Sequence, residues 1–308
     1  MSRAVVFGYH NVGVRCLRTL IESGVDVALV LTHDDDPAET IWFDSVARTA
    51  AKNGIEAISP VDPNVGDVVA RVAACKPDFL FSFYYRSMLK PTLLALPPRG
   101  ALNMHGSLLP KYRGRAPVNW AIIHGETETG ATLHYMLEKA DSGDIVSQQA
   151  VPILPDDTAK EVFDKVTIAA ETTLRGALPA LLAGNAARIE QDAGAATYFG
   201  GRKPEDGRID WSKSAIAIHN LVRAVAPPYP GAFTVIAGRP ARVLRTRVVD
   251  SLALPAGRPS MTLENGQLVA RCGGAGALAI LALEVDGAPM SAAEFAAAHG
   301  ASGVPLGG

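Results

Sequence analysis

Hydrophobic positions in the first half of the chain form short continuous runs that are separated by helical patterns. These runs, rich in β-branched residues, begin at Ala4, Val25, Phe79 and Ala101, and the third extends to Tyr85. Between them, residues 44–53 and 65–75 place apolar side chains at helical spacing. Continuous apolar strands that alternate with helices are typical of a sheet buried on both faces. The pattern therefore predicts a doubly wound, mostly parallel α/β domain, to which we assign residues 1–190.

The second half of the chain changes character after one long helix. Thr158 and Glu161 are spaced as a capping box, and apolar positions then recur at helical spacing until Gly184, with a kink predicted at Pro179. Residues 191–203 are small and polar and are predicted to be a linker. Residues 204–308 contain short apolar runs between Gly and Pro turns, which predicts a smaller β-barrel-like domain.

Composition and charge narrow the class of protein. The 308 residues are 48% hydrophobic and 19% charged, and the net charge is −2, which gives no general attraction to nucleic acid or to an acidic membrane surface. No apolar stretch approaches the roughly 18 residues of a transmembrane helix. Cys16, Cys75 and Cys272 lack CxxC spacing and are expected to be reduced thiols in a cytoplasmic protein.

The candidate chemistry lies where the run "ALNMH" ends, at Asn103 and His105. Residues two apart in a strand point to the same side, and ligands of doubly wound sheets bind at the carboxyl ends of strands. An amide and an imidazole together can stabilise the oxyanion that forms when a nucleophile adds to a carbonyl group. Asp141, in the turn "ADSGD", is the acid expected to orient the imidazole and favour its charged form.

The same residues allow other interpretations. In one, Asn103 and His105 have no catalytic role and are polar residues whose hydrogen bonds neighbouring backbone groups satisfy. Ser107 suggests a catalytic triad, but no GxSxG elbow surrounds it. The start "FGYHNVG" is not a GxGxxG fingerprint, so no nicotinamide cofactor is expected. The remaining histidines, which lack comparable partners and are expected to be structural or at the surface, are His10, His33, His124, His134, His219 and His299.

The stretch "LNMHGSLLPKYRGRAPVNW", followed by "ADSGDI", resembles the 10-formyltetrahydrofolate-dependent formyltransferases. Their motif is Asn-x-His, then SLLPxYRG, then a distant Asp. "EDGRIDW" and "PGAFT" are similar to that family's linker and carboxyl-terminal domain. The resemblance implies a Rossmann-like catalytic domain, a smaller OB-like domain, and formyl transfer without a metal.

The resemblance also implies roles for individual residues. Asn103 would stabilise the tetrahedral state, His105 would be the acid/base, and Asp141 would support the charge of His105. The co-substrate 10-formyltetrahydrofolate would run along Ser87, Met88, Leu89, Leu137, Glu138, Lys139, Ala140 and Asp141, with Arg115 nearby.

Within the family, "VVFGYHNVG", "THDDDPAE" and "FSFYYR" are similar to the group that formylates UDP-4-amino-4-deoxy-L-arabinose for lipid A modification and polymyxin resistance. The implied partner is a UDP-linked amino sugar, expected between the two domains with Arg115 or Arg202 at its phosphates. Bifunctional members of that group continue into a decarboxylase domain. That activity is expected to reside elsewhere, or this chain is a piece of a longer one.

Three alternatives remain open. The first is the same chemistry on methionyl-tRNA. Residues 204–308 carry nine Lys and Arg against eight Asp and Glu, which is weak footing for a polyanion. Four arginines between Arg239 and Arg247 favour it if they share one face. The second is a different nucleotide-linked amino sugar, such as a dTDP-4-amino-hexose. The third is a relative that binds folate or a nucleotide sugar without turnover.

Overall fold

The structure, a computed structural model, describes residues 1–37, 39–249, 256–300 and 303–307. These residues form two compact units. The first contains Met1–Pro117, Glu128–Pro152 and Phe163–Gly200; the second contains Val118–Thr127, Ile153–Val162 and the described residues from Gly201 on. The helices are α1 His10–Glu22, α2 Val46–Lys52, α3 Gly66–Ala74, α4 Pro91–Leu94, α5 Pro117–Ile123, α6 Ala159–Ala183, α7 Ala215–Ala224 and α8 Ala292–His299. The domain boundaries assigned from the sequence stay a prediction.

The first unit is built on a seven-stranded sheet and a short two-stranded pair. The strands are β1 Arg3–Gly8, β2 Asp26–Leu31, β3 Ala57–Ile58, β4 Phe79–Phe83, β5 Ala101–His105, β6 Arg113–Gly114, β7 Glu128–Tyr135, β8 Ile145–Pro152 and β9 Tyr198–Phe199. The order in the large sheet is β3-β2-β1-β4-β5-β7-β8, and β6 pairs with β9. Strands β1 to β5 pair in parallel, and β7 and β8 add antiparallel pairs at one edge. The predicted doubly wound, mostly parallel sheet is confirmed.

The apolar runs become strands because both sheet faces are covered. All five residues of β4 are buried, as continuous apolar strands in parallel sheets require. The strand ends at Phe83, two residues before the end of the predicted run, because Tyr84 adopts a left-handed backbone with φ of +57°. Helices α2 and α3 occupy the two predicted helical segments and are shorter by one or two residues at each end.

Helix α6 begins as the sequence predicts. The Thr158 N–H donates to Glu161 Oε2 at 2.7 Å, and the Glu161 N–H donates to Thr158 Oγ1 at 3.4 Å. This reciprocal pair is the predicted capping box. The helix runs through Pro179 to Ala183. Among the described residues, no helix is both long and apolar enough to cross a membrane.

The second unit is an antiparallel sheet covered by α7. Its strands are β10 Ala232–Ile236, β11 Arg239–Val249, β12 Ser260–Glu264, β13 Gln267–Arg271, β14 Ala277–Val285, β15 Ala288–Pro289 and β16 Val304–Pro305. The order is β10-β11-β14-β13-β12-β16, and a bridge between Ile236 and Leu306 joins its two edges. The sheet therefore curls into a barrel. The sheet, α7 and α8 share one cluster of buried side chains, which includes Trp211, Val243 and Phe295. A separate β-rich domain at this end of the chain is confirmed.

Candidate active site

Asn103 and His105 lie on the same face of β5, which pairs with β4 on one side and β7 on the other. In the register with β7, Asn103 lies opposite His134 and His105 lies opposite Thr132. Directly opposed residues on antiparallel strands project to one face. The strand pairing therefore gathers an amide and two imidazoles at the carboxyl end of β5.

His105 is almost fully buried, with 6% of its surface exposed. Its Nε2 lies 2.8 Å from the carbonyl oxygen of Tyr112, and because a carbonyl can only accept, Nε2–H is the donor. Its Nδ1 faces Asp141 Oδ1 at 3.6 Å. Both ring nitrogens thus face acceptor oxygens, so a second proton on the ring also has a partner.

The Asn103 amide is held between two other side chains. Its Nδ2 lies 3.2 Å from His134 Nε2 and donates to Asp141 Oδ1 at 3.4 Å. His134 Nδ1 lies 2.8 Å from the Tyr135 carbonyl oxygen and must be the donor there, and the acceptor for the Asn103 nitrogen is the Asp141 carboxylate oxygen. This arrangement fixes which end of the amide is the nitrogen.

His134 lies in this cluster, and the sequence reasoning did not include it. The expectation that it lacks partners like those of His105 is wrong, because it is buried beside Asn103 and lies 3.5 Å from Asp141 Oδ1. The missing signal was the pairing of β5 with β7. Once that register is assumed, the alternation in "TLHY" places His134 and Thr132 on the face of Asn103 and His105.

Asp141 occupies the turn between β7 and β8 in a left-handed backbone conformation, with φ of +53°. Its Oδ2 accepts the N–H of Gly114 at 2.9 Å. Gly114 has φ of +98°, and a Cβ there would lie 2.2 Å from the Phe199 carbonyl oxygen. The glycine of the "YRG" sequence is therefore required where the loop brings its N–H to the carboxylate.

Electrostatics at Asp141 favour the carboxylate. Burial raises the pKa of this carboxyl group, but the charge of His105, the hydrogen bond and charge of His134, and the Gly114 N–H outweigh burial and hold the pKa well below its ordinary value of 3.8. Folding therefore stabilises the ionised form of the Asp141 side chain relative to the protonated form.

Replacement Asp141→Asn is expected to flatten the acid dependence of stability. A carboxyl group whose pKa is lowered by folding adds stability above its ordinary pKa and loses it as the pH falls towards the folded value. The difference in free energy of unfolding between the unmodified chain and D141N should be largest above about pH 5 and shrink below about pH 4. Urea unfolding followed by circular dichroism at a series of pH values measures it.

Glu190→Gln is the matched control, because it neutralises a carboxylate on an exposed side chain. The difference in free energy of unfolding between the unmodified chain and E190Q is expected to change little as the pH falls. A D141N difference that stays constant, or widens, on acidification would contradict the assignment of a lowered pKa to Asp141.

The segments predicted to hold the folate come together in the first unit. Leu89 is buried and packs in one cluster with Met136, the residue before Leu137. Met88 and Leu137 expose 54% and 55% of their surfaces. The other predicted contacts lie near the surface: Ser87 and Ala140 are half-buried, Glu138 is exposed, Lys139 Nζ lies 5.2 Å from the centre of the Tyr198 ring, and Arg115 donates to the Arg86 carbonyl oxygen at 3.3 Å.

Ser107 does not have the surroundings of a nucleophile. Its side chain is fully buried, and its hydroxyl donates to the Lys111 carbonyl oxygen at 2.7 Å. The hydroxyl therefore stabilises the loop after β5, which argues against the serine hydrolase alternative.

The fold and this cluster are those expected of an enzyme that transfers a group at a carbonyl carbon, and comparison with protein families gives the class. The Formyl transferase model matches residues 2–178, and the model of the Formyl transferase C-terminal domain matches residues 202–300. The chain belongs to the formyl transferase family, and it is a formyltransferase.

Solved structures share this fold at low sequence identity. An N-formyltransferase from Helicobacter canadensis, in complex with folinic acid and dTDP-3-aminofucose, has a TM-score of 0.70 at 19% identity, over 91% of this chain and 99% of that one. WlaRD, a sugar 3N-formyltransferase in the presence of dTDP and 5-N-formyl-THF, has a TM-score of 0.69 at 19% identity, over 91% and 97%. A sugar N-formyltransferase from Shewanella sp FDAARGOS_354 has a TM-score of 0.63 at 19% identity, over 82% and 99%.

Proposed function

We propose that the chain transfers the formyl group of 10-formyltetrahydrofolate to the 4-amino group of UDP-4-amino-4-deoxy-L-arabinose, in the cytoplasm, as a step of lipid A modification linked to polymyxin resistance. The observation that carries the proposal is the cluster of Asn103, His105 and Asp141 at the end of β5, in a chain of the formyl transferase family. The cluster supplies an amide donor, an imidazole and a carboxylate. Formyl transfer to an amine requires an oxyanion donor and an acid/base.

In the proposed reaction, the sugar amine nitrogen forms a bond to the formyl carbon, and the bond from that carbon to the folate nitrogen breaks. Asn103 Nδ2 donates to the developing oxyanion. It loses little by turning from Asp141, because that hydrogen bond is 3.4 Å long. His105, with one water, moves the amine proton to the leaving folate nitrogen, and Asp141 stabilises the imidazolium.

Two features support 10-formyltetrahydrofolate as the co-substrate. Two of the structural neighbours contain folinic acid or 5-N-formyl-THF. In this chain, Met88 and Leu137 present apolar side chains to solvent in the two segments that the family motif assigns to the folate. Exposed apolar groups around a few fixed polar atoms suit a flat heterocycle. We assign Ser87, Leu89, Arg115 and residues 138–140 to the same site.

The nucleotide sugar is the finer part of the proposal. The resemblance of the first strand and its loop favours a UDP-linked 4-amino sugar, and Arg115 or Arg202 would contact its phosphates. The two neighbours with a nucleotide contain dTDP or a dTDP-linked amino sugar. This observation favours a second candidate, formylation of a dTDP-linked amino sugar by the same residues.

The arginines of β11 bear on the tRNA alternative. Arg239 lies 2.8 Å from an Asp286 oxygen, Arg242 pairs with Glu284, and Arg247 donates to an Asp156 oxygen at 3.2 Å. Each carboxylate offsets the charge that a phosphate backbone would need. All four arginines, Arg245 included, are exposed on β11, as the tRNA alternative requires. Because carboxylates offset the charge of three of the four, we favour a small nucleotide-linked acceptor over tRNA.

A parallel formyl-transfer assay tests the proposal. Equal amounts of UDP-4-amino-4-deoxy-L-arabinose, a dTDP-4-amino sugar and charged initiator tRNA are offered with 10-formyltetrahydrofolate, and tetrahydrofolate release is followed. We expect turnover on the UDP compound. Turnover confined to the dTDP sugar would replace it by the second candidate. Turnover on tRNA that falls steeply with added salt would restore the tRNA alternative, and binding without turnover on any acceptor would refute catalysis.

A further inference from the structure

Gln191 lies in the segment that the sequence predicts to be a linker, yet it is buried, with 8% of its surface exposed. Its Nε2 donates to the carbonyl oxygens of Asp141 and Gly143, at 2.9 and 2.7 Å. Because one buried side chain binds two carbonyl oxygens of the same turn, it restricts the backbone of that turn. The turn is the one that presents the Asp141 carboxylate to His105.

The orientation of the Gln191 amide is fixed from the other side. Its Oε1 accepts from Arg113 Nε at 3.1 Å and from Arg113 Nη2 at 2.7 Å, and Arg113 Nη1 donates to the Tyr198 hydroxyl at 2.7 Å. A guanidinium can only donate and a carbonyl can only accept. Exchanging the amide oxygen and nitrogen of Gln191 would therefore lose all four of its contacts.

Asp141 needs such a restraint. Its φ of +53° lies in the left-handed region, which aspartate adopts at a cost and keeps only where the surroundings impose it. On its side chain, Gly114 N–H restrains Oδ2; on its backbone, Gln191 restrains the carbonyl oxygen. Neither restraint alone fixes both the position and the direction of the carboxylate.

We propose that Gln191 is a positioning residue for Asp141, held in register by Arg113, so that the segment after α6 is part of the active-site scaffold. The inference rests on the proposed formyl transfer. Gln191→Glu keeps the size of the side chain and the acceptor for Arg113. It replaces the donor with an oxygen that faces two carbonyl oxygens, which displaces the turn. A misplacement of about 1 Å lowers turnover on the order of 10²-fold.

The decisive measurement is a double-mutant cycle for kcat with D141N. Q191E is expected to lower kcat on the order of 10²-fold with the KM for the nucleotide sugar little changed, and to cost less than about threefold when D141N is already present, because it acts through that carboxylate. Glu190→Gln, its exposed neighbour, should leave kcat unchanged. Equal losses in both backgrounds, or a rise in KM alone, would overturn the proposal.

Two further measurements keep the test sharp. If Q191E does not fold, Tyr198→Phe removes only the hydroxyl, which accepts from Arg113 and Lys139, at a side chain that is 47% exposed. The KM for the folate is measured as well, because Lys139 belongs to the proposed folate site. Y198F should lower kcat several-fold in the unmodified chain and leave the kcat of D141N unchanged. An unchanged kcat in the unmodified chain, or equal losses in both backgrounds, would contradict the proposal. If no acceptor is formylated at all, the proposed function fails, and NMR then decides on Gln191. The His105 ring signals should shift in Q191E and not in E190Q, and unmoved signals would refute the role.

Discussion

Asn103→Ala is expected to lower kcat for formyl transfer on the order of 10²–10³-fold, the usual cost of removing one oxyanion donor. Its Nδ2 lies in the cluster beside His134 and Asp141 before any substrate arrives, and it gives up only the long hydrogen bond to Asp141 when it donates to the oxyanion. The KM for the nucleotide sugar should change little, because the lost hydrogen bond forms fully only in the transition state. Steady-state kinetics on the acceptor found in the parallel assay measures both constants.

Asn185→Ala is the matched control, since it makes the same substitution on an exposed side chain at the end of α6. It should leave kcat within about twofold of the unmodified chain, as surface substitutions usually do. The double variant with His105→Ala should be hardly slower than the worse single variant, because residues that act as a unit are not additive. Near-normal kcat in N103A would remove Asn103 from the mechanism.

The parts of this molecule that sequence reasoning predicted are those with local causes. The buried runs of β1 and β4 follow from continuous apolar residues, and the start of α6 follows from the reciprocal bonds of Thr158 and Glu161. The common face of Asn103 and His105 was predicted in the same way, since alternation within one strand places them on one side; their catalytic role stays a prediction. Each of these predictions needs only a short stretch of the chain.

The parts that were missed depend on pairings distant in sequence. His134 is 31 residues from Asn103 along the chain, and only the register of β7 on β5 brings the two side chains together. Gln191 lies in a stretch of small and polar residues that composition assigns to a linker. It is buried because its side chain contacts the turn of Asp141, which is 50 residues away along the chain. The left-handed backbone of Asp141 was also not predicted, because aspartate adopts that conformation far less often than glycine does.

Together these contacts explain how the site keeps a charge in a buried place. An isolated carboxylate at this depth would be expected to take up a proton. Asp141 Oδ1 instead lies near the His105 and His134 rings and accepts from the Asn103 amide, and Oδ2 accepts from the Gly114 backbone N–H. The Gly114 N–H belongs to the catalytic motif, but the other restraints come from β7 and from the segment after α6. The charge at the centre therefore also depends on elements that the motif does not contain.

Asp141→Asn is expected to lower kcat by about 10²–10⁴-fold, the range that acid/base catalysis contributes. The variant keeps the shape and one oxygen that can accept from Gly114 N–H, but it loses the negative charge 3.6 Å from His105 Nδ1. Its new amide nitrogen would also face the Asn103 nitrogen, donor against donor, or turn away and leave Gly114 unsatisfied. Asp144→Asn is the control in the same turn. The Asp144 carboxylate is 39% exposed, and its ion pair with Arg188 is long, at 3.7 Å. The D144N variant should therefore retain nearly full turnover. If D141N kept more than about a tenth of the kcat, His105 would not need this carboxylate to carry the proton.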